Sequence, residues 1–590
     1  MTKNKITFKY IWQLLLQKRK QLIFGQLITV IAILISIPIP LMLPALVDEV
    51  LLNKPNFFVN NINDFFGSGN AFYYIAIVTI IVILLRFIHF IFSAIITRIF
   101  TALGKFITFK IREKLLNHLK IVSMNEYETL GSGAIGANLV TDVNTLDNFI
   151  ITSASKFVAS ILTLIAVSIV LIAIHPILGL MILIIQPIIM LISKKIAKSV
   201  GTLKKEENNA IENFQENVGE VLELFGQIKA SNKEKEFFNT SIKKAKQVQD
   251  TSNEFNYKSI AYERFSFTVF LAAFEILRAS GLVMVAYSDL SIGMMFAMFG
   301  YIWFIMTPVQ DILSMQYSYA QAKTALNRIN RILDLKTEKN GIKKLPENNG
   351  LHIELKNLYF SYTKDKQTLK NISLNIKTKD KVALIGASGS GKTTLAQVIS
   401  SFYAKSKGEL LYDGISIDEI DKQSLRESIF LVLQMPILFN NSLRFNITMG
   451  NEKISDEKIH KALEIAQLKQ DIEKMPKGLD TIVGRHGVRL SGGQRQRLSI
   501  ARMIIANPKV VIFDESTSAL DVHTESKLFE ALRPILENKT VITIAHRLST
   551  VKNADIIYVL NDGEVVQVGS HEQLQNQEGH YLEFVKKQLI

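Results

Sequence analysis

The chain has 590 residues, is 48% hydrophobic, carries a net charge of +15 and contains no cysteine. That length exceeds what one hydrophobic core organises, so two or more domains are expected, and the apolar excess points to a membrane-spanning part. Disulfides, thiol catalysis and cysteine-bound zinc are excluded.

In chain order, residues 3–16 are basic with an interrupted apolar stripe, which suits an amphipathic helix on the inner membrane surface. No small-residue cleavage site follows, which argues against a removable signal peptide. Six apolar runs then have about the length a bilayer needs: Leu22–Leu43, Phe72–Ile95, Phe157–Ile174, Ile177–Ile192, Phe265–Tyr287 and Ile292–Met306. Lys3, Lys5, Lys9, Lys18, Arg19 and Lys20 precede the first, whereas 46–70 holds only Lys54 and the turns His175-Pro176 and Ser288–Ser291 hold no Lys or Arg. The positive-inside rule therefore puts the N-terminus in the cytoplasm, with the long connections Gly104–Ser153 and Lys194–Arg264. Their apolar residues recur at 3–4 spacing, so both read as helices continuing past the bilayer. Basic flanks explain the net charge, so membrane lipid is the expected partner and nucleic acid is not.

Charges inside a span are costly and usually pair or line a cavity. Glu275 and Arg278 lie three apart on one face of the fifth run. They read either as a self-neutralising pair or as a polar patch in a transport pathway. Arg86 and His89 in the second run raise the same two readings.

After about Asn330 the composition changes. A polar stretch with Pro346 and Gly350 reads as a linker, and short apolar strands then alternate with helical segments, as in an α/β domain. "VALIGASGSGKTTLAQVIS" is strand, glycine loop, helix, with phosphate-loop spacing. The small residues Gly386, Ala387, Ser388, Gly389, Ser390 and Gly391 let main-chain N–H groups close on phosphate oxygens at a helix start. Lys392 reaches the β- and γ-phosphates, Thr393 holds Mg²⁺, and Thr394 completes the loop. In "VVIFDES", Asp514 at the strand end suits Mg²⁺, through water, and Glu515 suits the orienting or deprotonation of an attacking water. ATP and Mg²⁺ are the implied cofactors.

"GASGSGKTT", "LSGGQRQRLSIAR", "VIFDESTSALD" and "TIAHRLSTV", in that order, closely resemble the ATP-binding cassette (ABC) transporters. Six spans followed by a cassette resemble the exporter subfamily in half-transporter form. The resemblance implies an all-α six-helix transmembrane domain (1–330), a linker (331–350) and an α/β P-loop cassette (351–590). It implies that Tyr362 stacks on adenine, and that Gln434 touches Mg²⁺ and the attacking water. It further implies that His546 contacts the γ-phosphate and that Asp521 lies in a loop signalling between two sites. Ser491, Gly492, Gly493 and Gln494 are implied to close on ATP held by the P-loop of an opposite cassette, so the working unit is a dimer. Because Glu515 and His546 are both present, a homodimer is favoured over a heterodimer with one degenerate site.

Two positions depart from the exporter pattern. Arg485 stands where an acid is usual, which puts one detail of coupling in doubt, and Ser516 replaces the usual alanine. Tyr127–Asp147 and the stretch from Val218 to Glu236 resemble the coupling segments, whose short helices are expected to seat near Gln434. The largely apolar fifth and sixth runs suit lipids, amphipathic drugs or hydrophobic peptides, and no N-terminal protease region suggests a leader-cleaving exporter. The competing reading is an ATP-gated channel or regulator with little net transport; the intact Glu515 argues against it.

Overall fold

The computed structural model describes residues 5–589 except 364, 365, 485, 486, 489, 517, 518 and 546. Arg485 and His546 thus lie outside the described residues. The chain divides into two compact units, Met1–Asn117 with Gly133–Asp334, and His118–Ser132 with Leu335–Ile590.

The first unit is helical. An N-terminal helix, Phe8–Gln17, buries Ile11, Leu14 and Leu15 and leaves Trp12 and Leu16 exposed, as its amphipathic pattern dictates. Asn330 secures Ile6, two residues before this helix, accepting from the Ile6 N–H and donating to the Ile6 carbonyl, each at 2.8 Å. Among the described residues, five helices are long and apolar enough to cross a membrane. The fourth apolar run is also helical, within Pro176–Glu223, but its side chains from 185 to 199 lie outside the described residues.

The first run is not one straight helix as expected. Arg19–Ser36 ends early, residues 37–41 turn, and a π-helical segment Ala45–Leu51 follows. Pro38 and Pro40 lack the N–H groups that would carry the helix on. Tyr301 compensates by donating its hydroxyl to the Ile37 carbonyl at 2.5 Å. Asp48, in the π-helical segment, accepts from Ser291 Oγ at 2.5 Å and from the Gly293 N–H at 2.9 Å, which caps the last span.

Ala71–Leu119 and Glu234–Tyr287 have 49 and 54 residues. At about 1.5 Å of rise per residue each exceeds roughly 70 Å, more than twice the ~30 Å hydrocarbon core. Pro176–Glu223 pairs with Glu234–Tyr287 along much of this length, with Ser252 donating to Glu207 at 2.8 Å and Ser241 to Asn217 at 2.7 Å. Val167, Leu171, Leu178, Phe270, Leu277 and Tyr301 form the apolar interior, while Phe87, Phe90 and Ile91 face outward, as lipid contact requires.

The second unit is α/β. Its strands are β1 (Ile353–Phe360), β2 (Leu369–Ile376), β3 (Lys381–Gly386), β4 (Lys407–Tyr412), β5 (Ile415–Ser416) and β6 (Ile429–Val432). After these come β7 (Asn441–Ser442), β8 (Ile482–Val483), β9 (Val510–Asp514), β10 (Thr540–Ile544), β11 (Ile556–Asn561) and β12 (Glu564–Gly569). The central sheet runs β12-β11-β3-β10-β9-β6, parallel except for the β11–β12 pair. An antiparallel sheet, β2-β1-β4-β5, lies beside it, and β7 pairs with β8. Every residue of β9 is buried, which is why "VVIFD" is apolar without alternation. The parallel strands all end at one edge of the sheet, the usual place for a ligand in such folds.

His118–Ser132, between the second and third spans, belongs to this unit. Ser123 N–H donates to the Lys336 carbonyl, and Glu338 N–H to that of Ile121. The short helix Met124–Leu130 packs Met124 against the apolar core beneath β1, β2 and β4. Tyr403 donates its hydroxyl to Glu128 at 2.7 Å. The expected short helix therefore exists, but among the described residues its hydrogen bonds go to Tyr403 and 336–338 rather than to Gln434. In the second connection the corresponding short helix is Phe225–Ala230, in the first unit.

Candidate functional site

β3 ends at Gly386, and the helix Lys392–Ile399 begins after Gly391. A side chain at Gly386 would meet the Leu560 carbonyl oxygen at 2.2 Å, and Gly391 has φ +100, so both positions need glycine. Lys392 Nζ donates to the carbonyls of Gly386 and Ala387, each at 2.9 Å, which folds its ammonium into the loop. Burial lowers its pKa, while the nearby Glu515 and Asp514 carboxylates act in the opposite direction. Ser390 is buried, and among the described residues its Oγ has no hydrogen-bond partner. An orphaned hydroxyl inside a loop of closely spaced N–H groups fits an anionic ligand.

β10 lies between β3 and β9, so the ends of β3 and β9 are held two strands apart. Thr393, opening the loop helix, thereby places Oγ1 3.1 Å from Asp514 Oδ1 at the end of β9. Glu515 follows with φ +46, a left-handed conformation unusual for a residue with a side chain. Gln434, two residues beyond β6, donates Nε2 to Glu515 Oε2 at 2.6 Å. The Thr393–Asp514 pair presents the oxygen donors Mg²⁺ prefers, and a carboxylate held by an amide can orient water.

Tyr362 lies just past β1. Its hydroxyl donates to Gln397 Oε1 at 3.2 Å and shares a 3.0 Å hydrogen bond with Thr394 Oγ1, which ties the ring to the loop helix. Burial and the Glu128 carboxylate raise its pKa, while the Thr394 hydrogen bond opposes them. Phe360 and Tyr403 meet it edge-on at 4.9 and 5.2 Å between ring centroids. At 37% exposure the ring is still open to a planar base.

Ser491 caps the helix Gly492–Ala506. Its Oγ accepts from the Gln494 N–H at 3.1 Å, and Gln494 Oε1 accepts from the Ser491 N–H at 2.9 Å, a reciprocal capping box. A side chain at Gly493 would lie 3.0 Å from Leu520 Cδ2 and 3.1 Å from the Ala519 carbonyl; one at Gly492 would touch Ala519 Cβ. The two glycines thus also make room for this chain's own 519–520 loop, a reason that sequence reasoning missed. Among the described residues Ser491, Gly492 and Gly493 make no hydrogen bond to Gly386–Thr393. Asp521 caps Val522–Leu536 by accepting from the Thr524 N–H at 2.9 Å, which holds its carboxyl below the usual range.

The structure therefore gathers the loop 386–394, Tyr362, Gln434, Asp514 and Glu515, and places Ser491–Gln494 and Asp521 around the 519–520 loop. Elsewhere, Arg278 and Glu275 form an ion pair at 2.5 Å with both side chains more than half exposed. Arg86 is exposed, and His89 Nδ1 lies 3.1 Å from the Ala32 carbonyl. Tyr403, Glu128, Gln397 and Gln496 belong to the same constellation but had no sequence signal, because only the fold brings them near Tyr362 and Gln434.

The sequence profile of the ABC transporter transmembrane region matches residues 22–309, and that of the ABC transporter matches 369–518. An ATP-dependent lipid A-core flippase of Haemophilus ducreyi is 32% identical over 575 residues, covering 94% of this chain and 95% of that protein. The chain belongs to the ABC transporters. A Bacillus subtilis protein named for multidrug export, YgaD, is 30% identical to the transporter over 80% of this chain and 82% of its own length. A bacterial Atm1-family ABC exporter solved with ATP bound superposes with a TM-score of 0.84 at 23% identity, covering 97% of the transporter and 98% of that chain, so the fold is that of an ABC exporter. The transporter is a multi-pass membrane protein whose ATP-binding domain hydrolyses ATP to drive transport.

Proposed function

We propose that the transporter exports or flips a hydrophobic or amphipathic molecule, a lipid, drug or hydrophobic peptide, across the cytoplasmic membrane as a homodimer. The cassette and N-terminus face the cytoplasm, in keeping with the Lys and Arg flanks. Residues 1–330, apart from 118–132, which pack with the second unit, are assigned to the membrane domain, 331–350 to the linker and 351–590 to the cassette. The observation that carries this reading is the joined set Lys392, Thr393–Asp514 and Gln434–Glu515, an intact hydrolytic centre. Gating alone tolerates loss of hydrolysis, so an intact Glu515 argues against a channel or regulator.

When bound, ATP with Mg²⁺ supplies the anhydride to be cleaved and a cation that neutralises its charge. Lys392 and the N–H groups of 386–392 bind the phosphates, Thr393 and Asp514 hold the cation with Gln434, and Tyr362 stacks on the base. Glu515 orients or deprotonates the attacking water, and His546 contacts the γ-phosphate. Ser491–Gln494 and Asp521 complete the site of the opposite cassette, so neither cassette hydrolyses alone. Closure around ATP turns the cavity outward, and hydrolysis resets it.

The test is ATPase activity in proteoliposomes against a panel of lipids, peptides and dyes, beside Glu515→Gln. Removing a general base costs about 10²–10⁴-fold. Stimulation by one class, lost in a variant that still binds ATP, supports the pump and names its substrate class. Near-normal turnover in Glu515→Gln would remove Glu515 from its role, and a flat response with intact basal hydrolysis would favour the regulator.

A further inference from the structure

One turn into Gly492–Ala506, beyond the capping box, lies Gln496, 3% exposed. Its Nε2 donates to the main-chain carbonyl of Gln434 at 3.1 Å, and its Oε1 accepts from the main-chain N–H of Ala519 at 3.2 Å. These bonds settle the orientation of the amide, because a carbonyl only accepts and an N–H only donates. Gln434 reaches onward to Glu515. Ala519 lies between Glu515 and Asp521, and residues 519–520 are seated against Gly492 and Gly493. One buried amide therefore fastens three segments: the helix that starts at Ser491–Gly493, the Gln434 segment, and the main chain at Ala519.

We propose that Gln496 is a positioning residue for hydrolysis. It keeps the main chain at Gln434 and Ala519 in register, so that a displacement of the Ser491–Gly493 helix start moves Ala519 and Gln434 together, and with Gln434 the amide that holds Glu515. It touches neither nucleotide nor the attacking water and acts through Gln434 and the 519 loop. The inference rests on the reading of Gln434 and Glu515 as the hydrolytic pair.

Gln496→Glu separates these two bonds. A carboxylate still accepts from the Ala519 N–H but cannot donate to the Gln434 carbonyl, and it sets negative charge against that oxygen. In the full-length transporter reconstituted in lipid, turnover falls at least tenfold while ATP affinity stays within about threefold. Gln496→Met, similar in length and without hydrogen bonds, loses turnover at unchanged ATP affinity; it replaces the Glu variant if that one aggregates.

Glu515→Gln is measured beside them. If it hydrolyses normally, the reading of the hydrolytic pair has failed. If it is inactive while Gln496→Glu or Gln496→Met turns over like the parent, Gln496 has no positioning role. Loss of ATP affinity in step with turnover in both Gln496 variants likewise overturns the proposal.

Discussion

The proposed stacking of Tyr362 on the nucleotide base can be separated from its hydroxyl's hydrogen bonds by two substitutions. Tyr362→Leu removes the aromatic face, and stacking of a base on such a face is worth about 1–3 kcal/mol. The nucleotide dissociation constant then rises about 5- to 150-fold. Tyr362→Phe keeps the face and loses the hydroxyl that meets Thr394 and Gln397. Thr394 is 7% exposed, so its hydroxyl loses a partner where water does not easily replace it. An unsatisfied buried group costs about 1–3 kcal/mol, here of cassette stability. The ring is still packed edge-on by Phe360 and Tyr403, so nucleotide affinity in the Phe variant changes less than about tenfold. Titration of a fluorescent ATP analogue measures the first effect and thermal unfolding without nucleotide the second. A Leu variant that binds nucleotide like the parent would refute the stacking role.

Lys392 makes pH a second probe. Burial lowers its pKa from the ordinary 10.5, and phosphate oxygens beside it would raise it, so ATP binding takes up a proton where the unliganded lysine is partly deprotonated. ATP affinity therefore falls as pH climbs through the lowered value. In the same window the unfolded chain binds more protons than the fold, so stability without nucleotide rises with pH; parallel slopes in the two measurements would contradict the assignment. In the membrane half, Glu275→Ala breaks the 2.5 Å pair with Arg278 and is expected to change which compounds stimulate ATPase activity. An unchanged profile would favour the self-neutralising pair.

Much of this protein is legible along the chain because its chemistry is local. The loop 386–394 is contiguous, its glycines answer to φ +82 at Gly389 and +100 at Gly391, and the acids at 514–515 end an uninterrupted apolar strand. The long spans are equally local, since about 20 apolar residues in a row have few other uses. Pairings across the chain were not legible. The capping box gives Ser491 a partner in Gln494, and the glycines beside it also yield to the 519–520 loop, so the proposed phosphate role is not the only reason for them.

The early end of the first long helix follows from Pro38 and Pro40, which the reading of Leu22–Leu43 as one run passed over, and the rescue of the Ile37 carbonyl by Tyr301, 264 residues away, had no local signal at all. The sequence by itself thus determined the two halves, the phosphate loop and the acids, because each rests on composition or on residues within a few positions of one another. The tertiary structure alone decided the meeting of Thr393 with Asp514, Gln434 with Glu515, Tyr403 with Glu128, and Gln496 with both Gln434 and Ala519. Strand order sets the first two and helix packing the others, and neither leaves a periodic trace in the chain.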